Sequence, residues 1–349
     1  MKAQKYYAPG DIRLEELPDP RPTPRTMVLE ILSCAICGSD LKSYKKGNPR
    51  IEPPVVLGHE FVARVAEVGG EVTDYAPGDR VTMCTTITCG KCRQCISGLR
   101  NLCQRKKPVS YAFDGAYAQL MGVPEIAMPF VLRVPEDMPA DTGTLAEPLS
   151  CVLNGIEVVN LAPGETVLVI GAGPMGAMNA QAAKAKGAGR VIVTDPVASR
   201  LEMARRLGAD VTVDVSKPGC EARIMDATGG RGADVVIVTA PVPAVQAESI
   251  NYATEGGRIN LFASLPPSES VVPFDTRTIH YKELVVTGST DSRREQMEEA
   301  IDMLAAGDIS ADVFITHRLP LEKLLDGLAL MERRESLKVV IHPNGTPEP

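Results

Sequence analysis

Between residues 164 and 290 the chain alternates short apolar runs with helical stretches, and this rhythm leaves few folds open to it. Thr166–Ile170, Arg190–Thr194, Asp234–Thr239, Arg258–Phe262 and Leu284–Thr287 read as strands, with helices over 175–187, 199–207 and 244–253 among them. Near-continuous apolar strands separated by helices predict a parallel sheet covered on both faces. The first strand runs straight into Gly171-Ala172-Gly173-Pro174-Met175-Gly176, which opens a helix. In that setting the first Gly permits a tight turn, the second lets backbone approach a pyrophosphate, and the third lets helix and strand pack closely. The free N–H groups and positive dipole end of the helix start suit phosphate. Residues 171–176 are therefore expected to hold a dinucleotide. The following strand ends in Val193-Thr194-Asp195, a carboxylate placed to accept from the adenosine ribose hydroxyls and to repel a 2′-phosphate, which favours NAD over NADP. Arg200 reads either as a contact to a 2′-phosphate or as a solvated charge on a helix face.

The 349 residues suffice for about two domains. The first 150 have a different texture: short apolar runs at Met27–Leu32, Phe61–Val68, Asp79–Met83 and Val131–Val134, punctuated by Pro and Gly, predict a compact strand-rich domain with irregular loops. After Gly288 the pattern predicts an amphipathic helix over 293–305, a Pro-containing link, a helix over 321–333 and a last strand, Leu337–Ile341, with the final NGTPEP frayed. The amino terminus lacks an apolar secretory stretch and turns acidic too early for a transit peptide, and the longest apolar runs are interrupted and too short to cross a bilayer. These features predict a cytoplasmic protein with no membrane partner. A net charge of −7 offers no basic field for nucleic acid.

Nine cysteines form an odd set, and four crowd into fifteen residues as Cys89-x2-Cys92-x2-Cys95-x7-Cys103. In a reducing compartment such spacing reads as metal ligation rather than disulfides. Four thiolates can close a tetrahedral zinc site, which has no open position and so serves structure rather than chemistry. An iron–sulfur cluster is the competing reading. A nucleic-acid finger is poorly supported, because few basic residues lie nearby and no recognition helix follows.

Upstream stand Cys37-Gly38-Ser39-Asp40 and Gly58-His59-Glu60, and downstream Ala146-Glu147-Pro148. Each piece alone is ambiguous: a lone Cys is usually a small buried hydrophobe, and a His-Glu pair is usually solvated. Their ordered combination with the cysteine cluster, GDRV at 78–81, AEPL at 146–149 and GAGPMG resembles the zinc-containing medium-chain alcohol dehydrogenases, closest to the polyol branch typified by sorbitol dehydrogenase, with threonine 3-dehydrogenase nearby. The resemblance spans essentially the whole chain. It implies an α/β protein in which a GroES-like strand-rich catalytic domain (1–150, returning at 291–349) accompanies a Rossmann doubly wound parallel sheet (151–290), with the substrate and cofactor sites meeting between them. It implies that Cys37, His59 and Glu60 ligate a catalytic zinc, with Glu147 binding directly or through water. Asp40 then orients His59, Ser39 takes the substrate proton, and Cys89, Cys92, Cys95 and Cys103 hold a structural zinc. It further implies hydride transfer between NAD and a secondary alcohol, such as a polyol or sugar alcohol, in a homodimer or homotetramer. Oxidation of an amino alcohol such as threonine, or of a polyol phosphate, is the alternative; a nucleotide-binding protein without catalysis is the reading from a different class. One position departs from the pattern: Lys42 stands where many relatives carry a relay His.

Overall fold

The computed structural model describes residues 1–346. The chain divides into two compact units, one from residues 1–150 together with 291 onward, the other Cys151–Thr290.

The second unit is built on a six-stranded parallel sheet in the spatial order Val211–Asp214, Arg190–Asp195, Thr166–Ile170, Ala233–Val238, Ala253–Leu261, Val285–Gly288. Leu168, Ile192, Val236 and Ile259 are fully buried in its core, as strands covered on both faces require. Strand order reverses between Thr166–Ile170 and Ala233–Val238, the switch point beyond whose carboxyl ends such sheets bind ligands. The helix expected over 244–253 is shorter: Pro243–Glu248 is helical, a 3-10 turn covers Ser249–Tyr252, and Ala253 already begins a strand. Gly256 and Gly257 disguise the first half of that strand. The four-residue edge strand Val211–Asp214 is too short to announce itself in the sequence.

The first unit carries a seven-stranded sheet in the order Val131–Arg133, Arg80–Met83, Glu60–Val68, Met27–Ala35, Lys338–His342, Ile315–Pro320, with Leu120–Val123 also paired to Met27–Ala35. A hairpin of Lys2–Ala8 and Asp11–Glu16, with Val55–Val56, forms a smaller sheet. Phe61, Tyr117, Met27, Leu29, Ile31 and Ile341 fill its core. Two registers gather segments that are far apart in the chain. Ala35 faces Glu60 across an antiparallel pair, so Cys37 and His59, just beyond these partners, fall at the same end of the sheet. Val340 faces Ala35 on the other side, which brings the last strand alongside the same end.

The Pro-containing link contains a helical turn, Ala311–Phe314, and the strand Ile315–Pro320, parallel to Lys338–His342. Its sequence ITHRLP alternates with only Ile315 buried, so it lacks the apolar run that marks an inner strand. The expected fraying does not hold at Asn344, whose Nδ2 donates to the carbonyls of Ile31 (3.0 Å) and Gln119 (2.9 Å). Residues 347–349 of that tail lie outside the described residues. Among the described residues no helix is long and apolar enough to cross a membrane.

Candidate metal and nucleotide sites

The strand Met27–Ala35 delivers Cys37 to the start of the helix Gly38–Lys46, where it is the N-cap residue. A left-handed turn at Gly58 (φ +92°) delivers His59 and Glu60 opposite it. One ligand atom from each of Cys37, His59 and Glu60 lies within 4.8 Å of the others. His59 and Glu60 are 6% and 1% exposed. A thiol, an imidazole and a carboxylate converging in a buried site form a donor set that suits zinc, and Glu60 Oε1 is buried with no hydrogen-bond partner among the described residues. The site therefore fits a zinc ion.

Around His59 the polar groups are arranged by side. Asp40 Oδ1 lies 3.6 Å from Nδ1 and Ser110 Oγ 3.3 Å from it, while Ser39 Oγ is 3.5 Å from Nε2. A carboxylate beside one ring nitrogen selects the tautomer and aims the other. Burial works against a charged imidazole, but Asp40 and Cys37 outweigh it and hold His59 well above its usual range. Burial also raises Asp40.

Two further groups complete the picture. Lys338 Nζ forms a buried ion pair with Glu60 Oε2 and donates to Ile36 O at 3.4 Å. Sequence reasoning missed it; the available signal was one cation inside the otherwise apolar run Lys338-Val339-Val340-Ile341, a strand buried throughout. Burial lowers Lys338, but Glu60 and Cys37 raise it further. Glu147, by contrast, is not part of the three-residue group. It accepts from Thr85 Oγ1 at 3.3 Å, and burial pushes its carboxyl up to about 7.

Cys89, Cys92, Cys95 and Cys103 also converge, with Sγ–Sγ separations of 3.5 Å (92–95), 3.8 Å (92–103) and 3.6 Å (103–89). Zinc–sulfur bonds of ~2.3 Å at tetrahedral angles put sulfurs about 3.8 Å apart, so these residues fit zinc. Backbone N–H groups point at the sulfurs: those of Cys89 and Arg105 donate to Cys103 Sγ at 3.4 Å, and those of Cys95 and Gln104 bring the Cys92 thiol down to about 6.

The glycine turn is tight at its start and closely packed at its end. Gly171 has φ +103°. A Cβ on Gly176 would lie 1.8 Å from Gly171 O, whereas one on Gly173 would meet nothing within 4 Å, leaving backbone open to a ligand at the N-cap of the helix Pro174–Ala185. Pro174 opens that helix, and Met175 follows it in the first turn. Asp195 differs from expectation. Its carboxylate is 4% exposed and already accepts the N–H groups of Ala172 and Val197, both at 2.8 Å. It thus braces the glycine turn. Arg200 Nη1 lies 3.7 Å from Asp195 Oδ2, so this arginine is paired rather than merely solvated.

Comparison with known proteins agrees with this geometry. Residues 23–136 match the family described as alcohol dehydrogenase GroES-like domain, and residues 174–306 match the family described as zinc-binding dehydrogenase. The sorbitol dehydrogenase of Bacillus subtilis (strain 168) is 32% identical over 99% of this chain and 98% of its own length. The L-threonine 3-dehydrogenase of Bacillus licheniformis is 32% identical over 98% and 99%. A protein of Sinorhizobium meliloti 1021, described as a zinc-binding dehydrogenase and solved bound to NADP, superposes with a TM-score of 0.91 at 31% identity, covering 98% of this chain and 99% of that one. With relatives of this identity along nearly its whole length, and with GroES-like and Rossmann-like units in that order, the chain belongs to the zinc-containing medium-chain alcohol dehydrogenases.

Proposed function

We propose that this enzyme transfers hydride between NAD and a secondary alcohol of the polyol or sugar-alcohol class. The observation that carries the reading is the convergence of Cys37, His59 and Glu60 in one buried site. Held there, zinc supplies Lewis acidity toward an alcohol O–H, and NAD on the glycine turn supplies the hydride acceptor. The chain's own groups do the rest. Asp40 faces His59 Nδ1 and fixes the ring; Lys338 holds one oxygen of Glu60, leaving the other for the ion; Ser39 is the hydroxyl beside His59 placed to receive the alcohol proton. Glu60 rather than Glu147 is the ligating carboxylate in this reading. The Cys89–Cys103 segment, with the Cys89 and Cys92 thiolates stabilised by backbone N–H groups, holds a second zinc that keeps the lobe folded.

Asp195, at the end of the strand that follows the glycine turn, supports NAD over NADP. A four-thiol metal lobe suits a reducing compartment, so a cytoplasmic location and assembly as a homodimer or homotetramer belong to the same reading; light scattering on purified protein tests the latter. The threonine dehydrogenase relative is as similar as the sorbitol dehydrogenase, so amino-alcohol oxidation stands as the second reading. The deciding experiment follows NADH absorbance with zinc-replete protein over sorbitol, xylitol, galactitol, inositols, their phosphates and L-threonine. Turnover of one polyol well above L-threonine is expected. Preference for L-threonine would select the second reading, and no NAD or NADP reduction by any of them, with two zinc equivalents bound, would overturn both.

A further inference from the structure

We propose that Tyr117 is a positioning residue for the zinc site, acting through Asp40 on His59; the inference rests on the zinc reading above. Tyr117 is fully buried. A buried hydroxyl left unpaired costs about 1–3 kcal/mol, and a phenylalanine would fill nearly the same volume, so the oxygen has to be explained by what it bonds. It donates to Asp40 Oδ2 at 2.6 Å, the length of a charge-assisted O–H···O⁻ bond, with Ala35 O at 3.4 Å as its secondary acceptor. The same Oδ2 accepts the Cys37 N–H at 3.1 Å. Two donors on one oxygen fix the plane of the carboxylate and turn the other oxygen toward the imidazole. That other oxygen, Oδ1, has no hydrogen-bond partner among the described residues and stands 3.6 Å from His59 Nδ1.

The ring of Tyr117 acts on the same residue from the backbone side. A Cβ on Gly58, immediately before His59, would meet Tyr117 Cδ1 at 2.8 Å, so the ring lies against the turn that aims the histidine. Tyr117 itself is pinned by backbone bonds from its N–H to Leu57 O (3.0 Å) and from the Gln4 N–H to its carbonyl (2.8 Å). One side chain therefore sets both the turn that presents His59 and the carboxylate that orients it. A tyrosine that merely filled the core would have no need of the hydroxyl.

The test uses the full chain and reads metal, not turnover. Zinc affinity is measured at both sites by competition with a chromogenic chelator, and Co(II) replaces zinc for absorption spectra. Loss of a group that orients a ligating histidine typically weakens metal binding 10–100-fold. Tyr117→Phe is expected to weaken the Cys37 site about tenfold and shift its Co(II) spectrum, leaving the four-cysteine site unchanged. In an Asp40→Asn background the same substitution is expected to add no further loss. An unchanged affinity and spectrum in folded Tyr117→Phe, or an equal loss in both backgrounds, would overturn the proposal. If Tyr117→Phe does not fold, 3-fluorotyrosine incorporated in a Tyr111→Phe background strengthens the donor instead, and an unaltered affinity at the Cys37 site then overturns it. Wild-type protein that binds a single zinc equivalent sinks the underlying zinc reading, and this inference with it.

Discussion

The two candidate metal sites are assembled in opposite ways. Cys89, Cys92, Cys95 and Cys103 come from one short segment, so local turns and their own N–H groups bring the sulfurs to within 3.5–3.8 Å in the pairs that touch. Cys37, His59 and Glu60 come from the neighbouring ends of two strands, and the cation that balances Glu60 arrives from Lys338, 278 residues away. The first site shapes its surroundings; the second is shaped by a completed sheet. A site of the second kind can be preorganised because other contacts already hold its members in place, and it then contributes chemistry rather than stability.

The largest expected effect separates the two directly. Cys37→Ser should lower kcat/KM by at least about 10³, roughly 4 kcal/mol of transition-state stabilisation, with the thermal midpoint of the metal-free protein nearly unchanged. A folded and fully active variant would remove the assignment. Lys338→Met comes next. It leaves Glu60 as an uncompensated buried charge and should destabilise the metal-free protein by about 3 kcal/mol in urea, with much of the loss recovered on adding zinc. No change in the metal-free chain would mean that the pair is dispensable. Cys95→Ser should cost one metal equivalent and about 2 kcal/mol or more, a midpoint several degrees lower, while residual protein stays active per folded molecule. Unchanged zinc content would count against a structural site there.

The same contrast explains what the sequence disclosed. The cysteine cluster and the glycine turn are contiguous, so spacing alone exposed them, as it did the strand Thr166–Ile170. Cys37, His59 and Glu60 were found only because their short motifs recur together in a known family, since antiparallel register is not written in either strand. Lys338, Ser110 and Tyr117 were missed for the same reason: each reaches the site through pairing between distant segments.

A scaffold contact away from both sites shows how the late strand is held. Asp141 accepts Ser33 Oγ at 2.7 Å and Arg318 Nε at 2.6 Å, and it hydrogen-bonds His342 Nε2 at 2.8 Å. These contacts tie Lys338–His342 and its neighbour to the strand that leads to Cys37. Burial alone would raise Asp141, but hydrogen bonds from His342, Ser33 and Arg318 overcome it and hold the carboxyl down to about 2. Because the folded value lies below the ordinary one, its contribution is complete above about pH 5 and is lost as pH falls toward 2, about 2 kcal/mol in all. The urea-measured stability gap between wild type and Asp141→Asn should therefore shrink by roughly half from pH 6 to pH 3 and close toward pH 2. A gap of equal size throughout would place the depression elsewhere.

The nucleotide turn lies between the two modes of assembly, and it sets the smallest effect. Its glycines are contiguous, but the group that braces them, Asp195, is 23 residues from Ala172. With two acceptor positions taken by backbone N–H groups and Arg200 nearby, Asp195 repels a 2′-phosphate less than an unpaired carboxylate would, and its removal should disturb the turn. Asp195→Asn keeps the size but loses the charge and part of the acceptor capacity, so NAD should bind about tenfold more weakly, roughly 1.4 kcal/mol. Arg200→Ala, which leaves the brace intact, should change NAD affinity little and weaken NADP. Isothermal titration of both cofactors against both variants distinguishes bracing from charge selection. If Asp195→Asn binds NAD normally while gaining NADP, the carboxylate acts only through its charge and the turn stands without it.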